Sequence, residues 1–261
     1  AAIVGREILA GRNWRNMPMV IALTLLVVAN ALMHAGAFGD TDMIDAGKRL
    51  AIAVILMLIS LIGGRIIPSF TANWLRRQEA TEMPVAFNRF DKATLALSLL
   101  AWAGWVAVDL VPATGALLIA AALAHAVRLL RWRGEATLSE PLLWILHVGY
   151  AWIPAGMAML GLSVWMPELE TTAYHALTVG AMGTMILAVM SRATLGHSGR
   201  ALTAGAGTVA VYLLVQLAAA SRVAAPFLDA GYTPALDLAG TAWLAAFVLF
   251  VALYLPLYVR R

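Results

Sequence analysis

The segment HALTVGAMGTMILAVMSRATLGHSGR, residues 175–200, decides the fold class of this chain. Its first sixteen residues contain no Asp, Glu, Lys or Arg, and Arg192, His197 and Arg200 follow shortly after them. An apolar run of this length that ends in cations predicts a transmembrane helix with its cationic end at the membrane surface. The chain has five histidines, and two of them, His175 and His197, frame this helix. These two are therefore the first candidates for ligand binding.

Composition places the whole chain in the membrane class. Of its 261 residues, 62% are hydrophobic and 12% are charged, whereas a soluble domain has roughly 45–50% apolar and about 25% charged residues. The net charge of +4 comes from cations in short loops between apolar runs, which argues against a nucleic-acid partner. The absence of cysteine excludes disulfides, iron–sulfur clusters and thiolate ligands. Any metal must then be held by His, Met, carboxylate or backbone groups.

Eight apolar runs are long enough to cross a hydrocarbon layer of about 30 Å. They predict an all-α, polytopic transmembrane helix bundle that forms a single domain over residues 1–261. No run shows the alternation that is typical of strands in an outer-membrane barrel. The runs cover residues 18–35, 49–67, 93–110, 113–130, 142–166, 173–190, 201–221 and 236–259.

The cations are distributed asymmetrically around the eight predicted spans. Fifteen of the eighteen Lys and Arg residues fall on one side, including Arg12, Arg15, Arg260 and Arg261 near the two ends of the chain. The positive-inside rule makes this side cytoplasmic. Both termini are then cytoplasmic, and an even number of spans agrees with this orientation.

The five histidines fall into two groups by predicted depth. His34 and His175 lie at the outer surface, whereas His125 and His147 each lie about 9 Å inside the inner boundary, in adjoining antiparallel helices. His197 follows the sixth span and could fold beneath the inner pair. A single interfacial histidine is commonly a hydrogen-bonded surface residue, but an imidazole inside an apolar span is costly and usually functional. Each group is therefore a candidate ligand site, provided that its helices lie side by side.

The sequence LIGGRIIPSF, residues 61–70, places a further costly side chain inside a predicted span. Gly63 and Gly64 would let a large group approach the backbone. Arg65 offers a guanidinium fork that suits a carboxylate such as a haem propionate. We identify no acidic partner for Arg65 within the predicted spans on its side of the membrane. The alternative is that Arg65 simply reaches the inner interface.

Three segments carry a family resemblance. GGRIIPSFTANWLRR, LRWRGEATLSEPLLWILHVGYAWIPAG and the opening segment resemble the signature segments of the NnrS family. That family comprises haem- and copper-containing membrane proteins of denitrifying and other bacteria, linked to nitric oxide metabolism and nitrosative stress. The resemblance extends over essentially the whole chain. It implies a fold of about twelve spans, of which this chain would hold the last eight.

The resemblance implies two cofactors, haem b and copper. We assign copper to the outer pair, His34 and His175. We assign haem to the inner side. In the alternative assignment the two sites are exchanged, so His147 and His197 are also candidate metal ligands. The residues for the inner haem are His147, with His125 or His197 as a second ligand, and Arg65, Arg192 and Arg200 as partners of the propionates.

The resemblance also implies a function in the bacterial inner membrane, where the protein would span the lipid bilayer several times. It would either bind nitric oxide or a related small molecule or convert it by a redox reaction. Only in the second case would it be a membrane haem–copper oxidoreductase, which a membrane or periplasmic electron donor would supply. This activity would protect the cell from nitrosative stress during denitrification. The alternatives are a transporter or an assembly factor for metal, haem or a metal–nitrosyl species. The chain lacks a P-loop and the H-E-x-x-H and G-x-S-x-G motifs, which argues against hydrolases and nucleotide-driven pumps.

Overall fold

The computed structural model describes residues 6, 10, 11 and 17–259, and among these residues it contains helices and no strands. This confirms the all-α prediction for the described part of the chain. Arg12, Arg15, Arg260 and Arg261, which contribute to the predicted orientation, lie outside the described residues. The helices are α1 Met17–Gly36, α2 Thr41–Arg77, α3 Arg89–Ala107, α4 Pro112–Leu130, α5 Pro141–Leu162, α6 Leu169–His197, α7 Ala206–Ala224 and α8 Tyr232–Val259.

Each of the eight predicted runs overlaps one of these helices. Seven of the described helices are long and apolar enough to cross a membrane. The remaining helix, α3, has Arg89, Asp91 and Lys92 in its first turn, and these charges lower its hydropathy. The membrane class is therefore supported, whereas the count of eight spans, the topology and the cytoplasmic termini stay predictions.

Helix α2 extends well beyond its predicted bounds of 49–67. It begins after Asp40, whose carboxylate accepts hydrogen bonds from the backbone N–H groups of Asp42 and Met43, and it continues through Pro68 to Arg77. Its 37 residues correspond to about 55 Å at 1.5 Å per residue. This length exceeds a hydrocarbon layer of about 30 Å. The residues up to Arg77, which the sequence analysis places in the inner loop, are therefore helical.

Helix α5 lies at the centre of the bundle. It packs against α2, α4 and α6, while α1 packs on α2, α3 packs on α2 and α4, and α7 packs on α6 and α8. The side chains of Leu146, Tyr150 and Ile153 along α5 are fully buried. The interior of the bundle is therefore built around α5, and α1 lies at its periphery.

Helix α6 contains an irregular section. Its residues Ala176–Gly183 form a π-helix between two α-helical parts, Leu169–His175 and Thr184–His197. A Cβ atom at Gly180 would overlap the ring of Trp152 on α5, and one at Gly183 would overlap the ring of Trp243 on α8. The small residues of α6 therefore admit two indole rings, which fixes α6 between α5 and α8.

Candidate functional site

His125 belongs to a continuous chain of hydrogen bonds inside the bundle. Its Nε2 lies 2.7 Å from Ser98 Oγ, and its Nδ1 lies 2.8 Å from Tyr150 Oη. Ser98 donates its hydroxyl hydrogen to the carbonyl oxygen of Thr94, so it accepts from Nε2–H of His125. Nδ1 must then accept from the Tyr150 hydroxyl. Both ring nitrogens are used within the protein, and the structure gives no support for His125 as a haem ligand.

Arg128 extends this chain to a buried carboxylate. Its Nε donates to Asp91 Oδ1 at 2.7 Å, and its Nη1 donates to the carbonyl oxygen of Ser60 and to Tyr150 Oη, both at 2.9 Å. Arg128 and Asp91 are both buried. The predicted third span starts at residue 93 and thus omits Asp91. In the structure Asp91 lies in the first turn of α3, where its Oδ2 accepts from the Asn88 backbone N–H and closes a capping box.

Arg128 also explains the glycine pair on α2. A Cβ atom at Gly64 would overlap the guanidinium group of Arg128, whereas one at Gly63 would meet its nearest neighbours at an ordinary 3.6 Å. The large group that approaches Gly64 is therefore a protein side chain. Arg65 itself is exposed and has its guanidinium carbon 5.2 Å from the centroid of the Phe87 ring. This position agrees with the interpretation that Arg65 reaches the interface.

His147 is buried at a separate place in the bundle. Its Nδ1 lies 3.1 Å from the carbonyl oxygen of Leu143, its Nε2 lies 3.4 Å from Thr71 Oγ1, and its ring packs against Gly134. His147 and His125 therefore have different partners, although both lie on adjoining helices. The structure does not bring them together at one site.

The other three histidines have no hydrogen-bond partner among the residues that the structure describes. His34 is exposed on α1, which shares no extensive contact surface with α6. His175 is half-buried near the start of α6, and His197 is exposed at its last residue. The structure therefore does not support one site built from His34 and His175, and it separates His175 from His197 by about 30 Å along one helix.

A cavity of about 380 Å³ lies beside His175 at the end of the bundle that is predicted to be outer. We call it the His175 cavity. Besides His175, Arg222 is the other ionisable side chain that lines this cavity. Its Nη1 is buried without a hydrogen-bond partner among the described residues. A Cβ atom at Gly240 would find open space. The lining residues are His175, Val179, Ala218, Arg222, Leu236, Ala239, Gly240 and Trp243.

A second cavity, of about 300 Å³, lies at the other end of α6. We call it the His197 cavity. It brings together Arg192 and His197, as the sequence predicts for the inner side, whereas Arg200 is exposed and does not line it. The lining residues are Ile66, Phe70, Leu146, Val189, Arg192, Ala193, Gly196, His197 and Leu202.

The sequence analysis did not identify Arg222 as a lining residue of the His175 cavity, and it did not identify the buried pair of Asp91 and Arg128. Arg222 carried a signal, because an arginine at the end of an apolar run is costly unless it has a partner. Asp91 and Arg128 carried none that joins them, since 37 residues separate them and only the packing of α3 on α4 makes them neighbours. Within the described part of the chain, no three His, Asp or Glu side chains converge in a way that could hold a metal ion.

Seven of the described helices are long and apolar enough to cross a membrane, and a cavity lined by a histidine lies towards each end of α6. These features are those of a polytopic membrane protein. The chain belongs to the NnrS family, whose family model, described as NnrS protein, matches residues 1–261. The family is associated with the response to nitric oxide and with haem and copper. No curated protein and no solved structure matches the chain.

Proposed function

We propose that this chain is a haem-binding protein of the nitric oxide response and that the His175 cavity holds the haem. One observation supports this choice above the others. The His175 cavity combines an imidazole that has no hydrogen-bond partner among the described residues with a buried nitrogen of Arg222 that also has none. A buried, unpaired donor costs free energy unless a ligand satisfies it.

The lining of the His175 cavity suits haem b in three respects. His175 would hold the haem iron through its imidazole. Arg222 supplies a cation that can pair with a propionate through its fork of N–H donors. Val179, Trp243 and the open space at Gly240 supply an apolar slot between α6, α7 and α8. A haem held by His175 would supply, in its ferrous form, an iron that binds nitric oxide.

The described residues do not fit a copper site equally well. His34 and His175 belong to helices that share no extensive contact surface, and no group of three His, Asp or Glu side chains that could hold a metal ion occurs in the described ranges. His197 has no second histidine beside it in its cavity. We therefore assign no step to copper.

The proposed role is to bind or convert nitric oxide or a related species in the bacterial inner membrane, which would lower its toxicity during denitrification. Nitric oxide is small and uncharged, so it can enter an apolar cavity from the bilayer. In this role His175 would orient the haem, Arg222 would pair with its propionates, and the apolar walls of the cavity would limit the access of water. A redox conversion would also require a membrane or periplasmic electron donor.

Haem content tests this proposal. The full chain and its variants His175→Ala and Arg222→Gln are purified, and haem is measured per chain. His34→Ala is the matched control, because His34 is an exposed histidine that does not line the cavity. We expect about one haem in the parent and the control, less than a tenth in His175→Ala and a several-fold loss in Arg222→Gln. Full haem content in His175→Ala would overturn the site, and substoichiometric, exchangeable haem in the parent would favour a transporter or an assembly factor.

A further inference from the structure

The His197 cavity has an apolar part and a cationic part. Ile66, Phe70, Leu146 and Val189 contribute hydrocarbon and aromatic surface along α2, α5 and α6. Arg192 and His197, in the last two turns of α6, contribute the cationic or ionisable side chains of the lining. A ligand that fills the cavity must therefore be amphipathic, with its polar end at the membrane surface.

Arg192 is held in place by an aromatic ring, and Glu140 acts on its charge from the adjoining cavity without forming an ion pair with it. Its guanidinium carbon lies 4.2 Å above the centroid of the Phe70 ring, which is a cation–π contact. No carboxylate among the described residues forms an ion pair with Arg192. The charge of this half-buried arginine is therefore available to an anionic ligand.

A small adjoining cavity adds further charge beside Arg192. It shares Arg192 and Leu202 with the His197 cavity and is lined also by Trp74, Arg77, Leu143 and Glu140. Glu140 is the one acidic group of this set, and its carboxylate accepts a hydrogen bond of 3.2 Å from the backbone N–H of Leu142 at the start of α5. Because the two cavities join two arginines and one histidine to a single carboxylate, their charge favours an anion.

The ligand class follows from position and shape. The positive-inside rule predicts that this end faces the cytoplasm, and cytoplasmic leaflets carry anionic lipids that bind basic pockets between transmembrane helices. A free inorganic anion would leave the apolar part of the cavity unfilled. We propose that the His197 cavity binds one acidic phospholipid, with its phosphate beside Arg192, Arg77 and His197 and one acyl chain along Phe70, Leu146 and Val189.

Lipid retention tests this site independently of haem. The full chain is reconstituted in nanodiscs of phosphatidylglycerol and phosphatidylcholine, extracted into detergent and analysed by native mass spectrometry. We expect one retained phosphatidylglycerol and no retained phosphatidylcholine. Arg192→Gln combined with Arg77→Gln is expected to lower retention at least fivefold. Arg89→Gln is the matched control, because Arg89 is an exposed arginine on the same predicted side and lines neither cavity.

A second variant tests the apolar part without changing the charge. Val189 is partly exposed and lines the cavity, so Val189→Trp should occupy the acyl-chain position and lower phosphatidylglycerol retention several-fold. Equal retention of both lipids, or unchanged retention in both cavity variants, would overturn the proposal. Displacement of the lipid by inorganic phosphate at millimolar concentration would identify a free-anion site instead. If the double arginine variant loses haem but retains lipid, the His197 cavity is a cofactor site and the lipid proposal is wrong. If both proposals hold, His175→Ala loses haem and retains lipid.

Discussion

Individual buried residues of this bundle are linked by a continuous chain of hydrogen bonds. The donors from Arg128 through Tyr150 and His125 to Ser98 all point in one direction, and the chain ends on the carbonyl oxygen of Thr94. A chain that ends on a backbone carbonyl does not conduct protons further. We therefore interpret this network as a structural connection among α3, α4 and α5.

Tyr150→Phe tests this network. The change keeps the aromatic ring, whose centroid lies 4.6 Å from that of Trp132, but it leaves His125 Nδ1 without a donor. We expect the free energy of unfolding to fall by about 1–3 kcal/mol, the cost of an unsatisfied buried polar group. Tyr232→Phe should leave it unchanged, because Tyr232 is exposed and its hydroxyl has no hydrogen-bond partner in the described ranges. Denaturant titration in detergent measures both, and equal stability of the two variants would refute the network's role.

The glycine pair on α2 provides a sharper comparison. Gly64→Ala would push the guanidinium of Arg128 away from Asp91, and disruption of a buried ion pair costs about 3–5 kcal/mol. Gly63→Ala adds a methyl group with ordinary contacts at 3.6 Å, so we expect little change or a small gain in stability. The difference in melting temperature between the two variants measures the effect. A melting temperature of Gly64→Ala equal to that of Gly63→Ala would show that Arg128 can move at no cost.

Among the elements, α6 connects the two cavities, and its π-helix lies directly after His175. π-helical turns occur frequently at functional sites. Here the widened section lies where Gly183 meets the ring of Trp243, which also lines the His175 cavity. The packing of α6 on α8 and the shape of the cavity therefore depend on the same contact.

Gly183→Ala should displace Trp243 and lower haem content at least twofold. The physical reason is that an indole ring fixed on α8 cannot give way as the end of a flexible side chain can. Gly196→Ala is the control, because its nearest heavy atom would lie 3.8 Å away and haem content should not change. Haem per folded chain is measured for both variants after size-exclusion chromatography. Equal haem content in the two variants would show that the position of Trp243 does not affect the haem site.

Prediction from sequence was strongest for the helices and weakest for contacts between them. Apolar runs identified every helix from α1 to α8, because burial in lipid requires continuous apolar surface. The extension of α2 was missed because its last turns lie outside that constraint. Equal depth suggested a shared site for His125 and His147, yet hydrogen bonds to Tyr150 and Thr71 assign them to different partners. Whether two side chains at the same depth meet depends on how each helix is rotated about its own axis. The predicted depth of a residue does not determine this rotation.

At the scale of the whole molecule, the orientation in the membrane fixes what each cavity can reach. The His175 cavity is predicted to face outward and the His197 cavity inward, so haem and acidic lipid would occupy opposite faces of one bundle. This arrangement would separate the chemistry of nitric oxide from the anchoring of the bundle in the cytoplasmic leaflet.

The lack of cysteine allows a direct test of this orientation. Single exposed residues in four turns are replaced, as Phe38→Cys, Asp229→Cys, Thr81→Cys and Ser198→Cys, and intact cells are treated with a membrane-impermeant maleimide. We expect labelling at positions 38 and 229 in intact cells, and at 81 and 198 only after permeabilisation. The opposite pattern would reverse the orientation and would place the cationic cavity away from the cytoplasmic leaflet.

The most direct test of haem and nitric oxide binding is an optical titration of the purified full chain. Haem is quantified per chain, the protein is reduced, and nitric oxide is added stepwise while the Soret band is recorded. We predict about one haem b per chain and a Soret shift that saturates at one nitric oxide per haem, and both signals should disappear in His175→Ala. A parent protein without haem, or with haem that does not respond to nitric oxide, would contradict the proposed function.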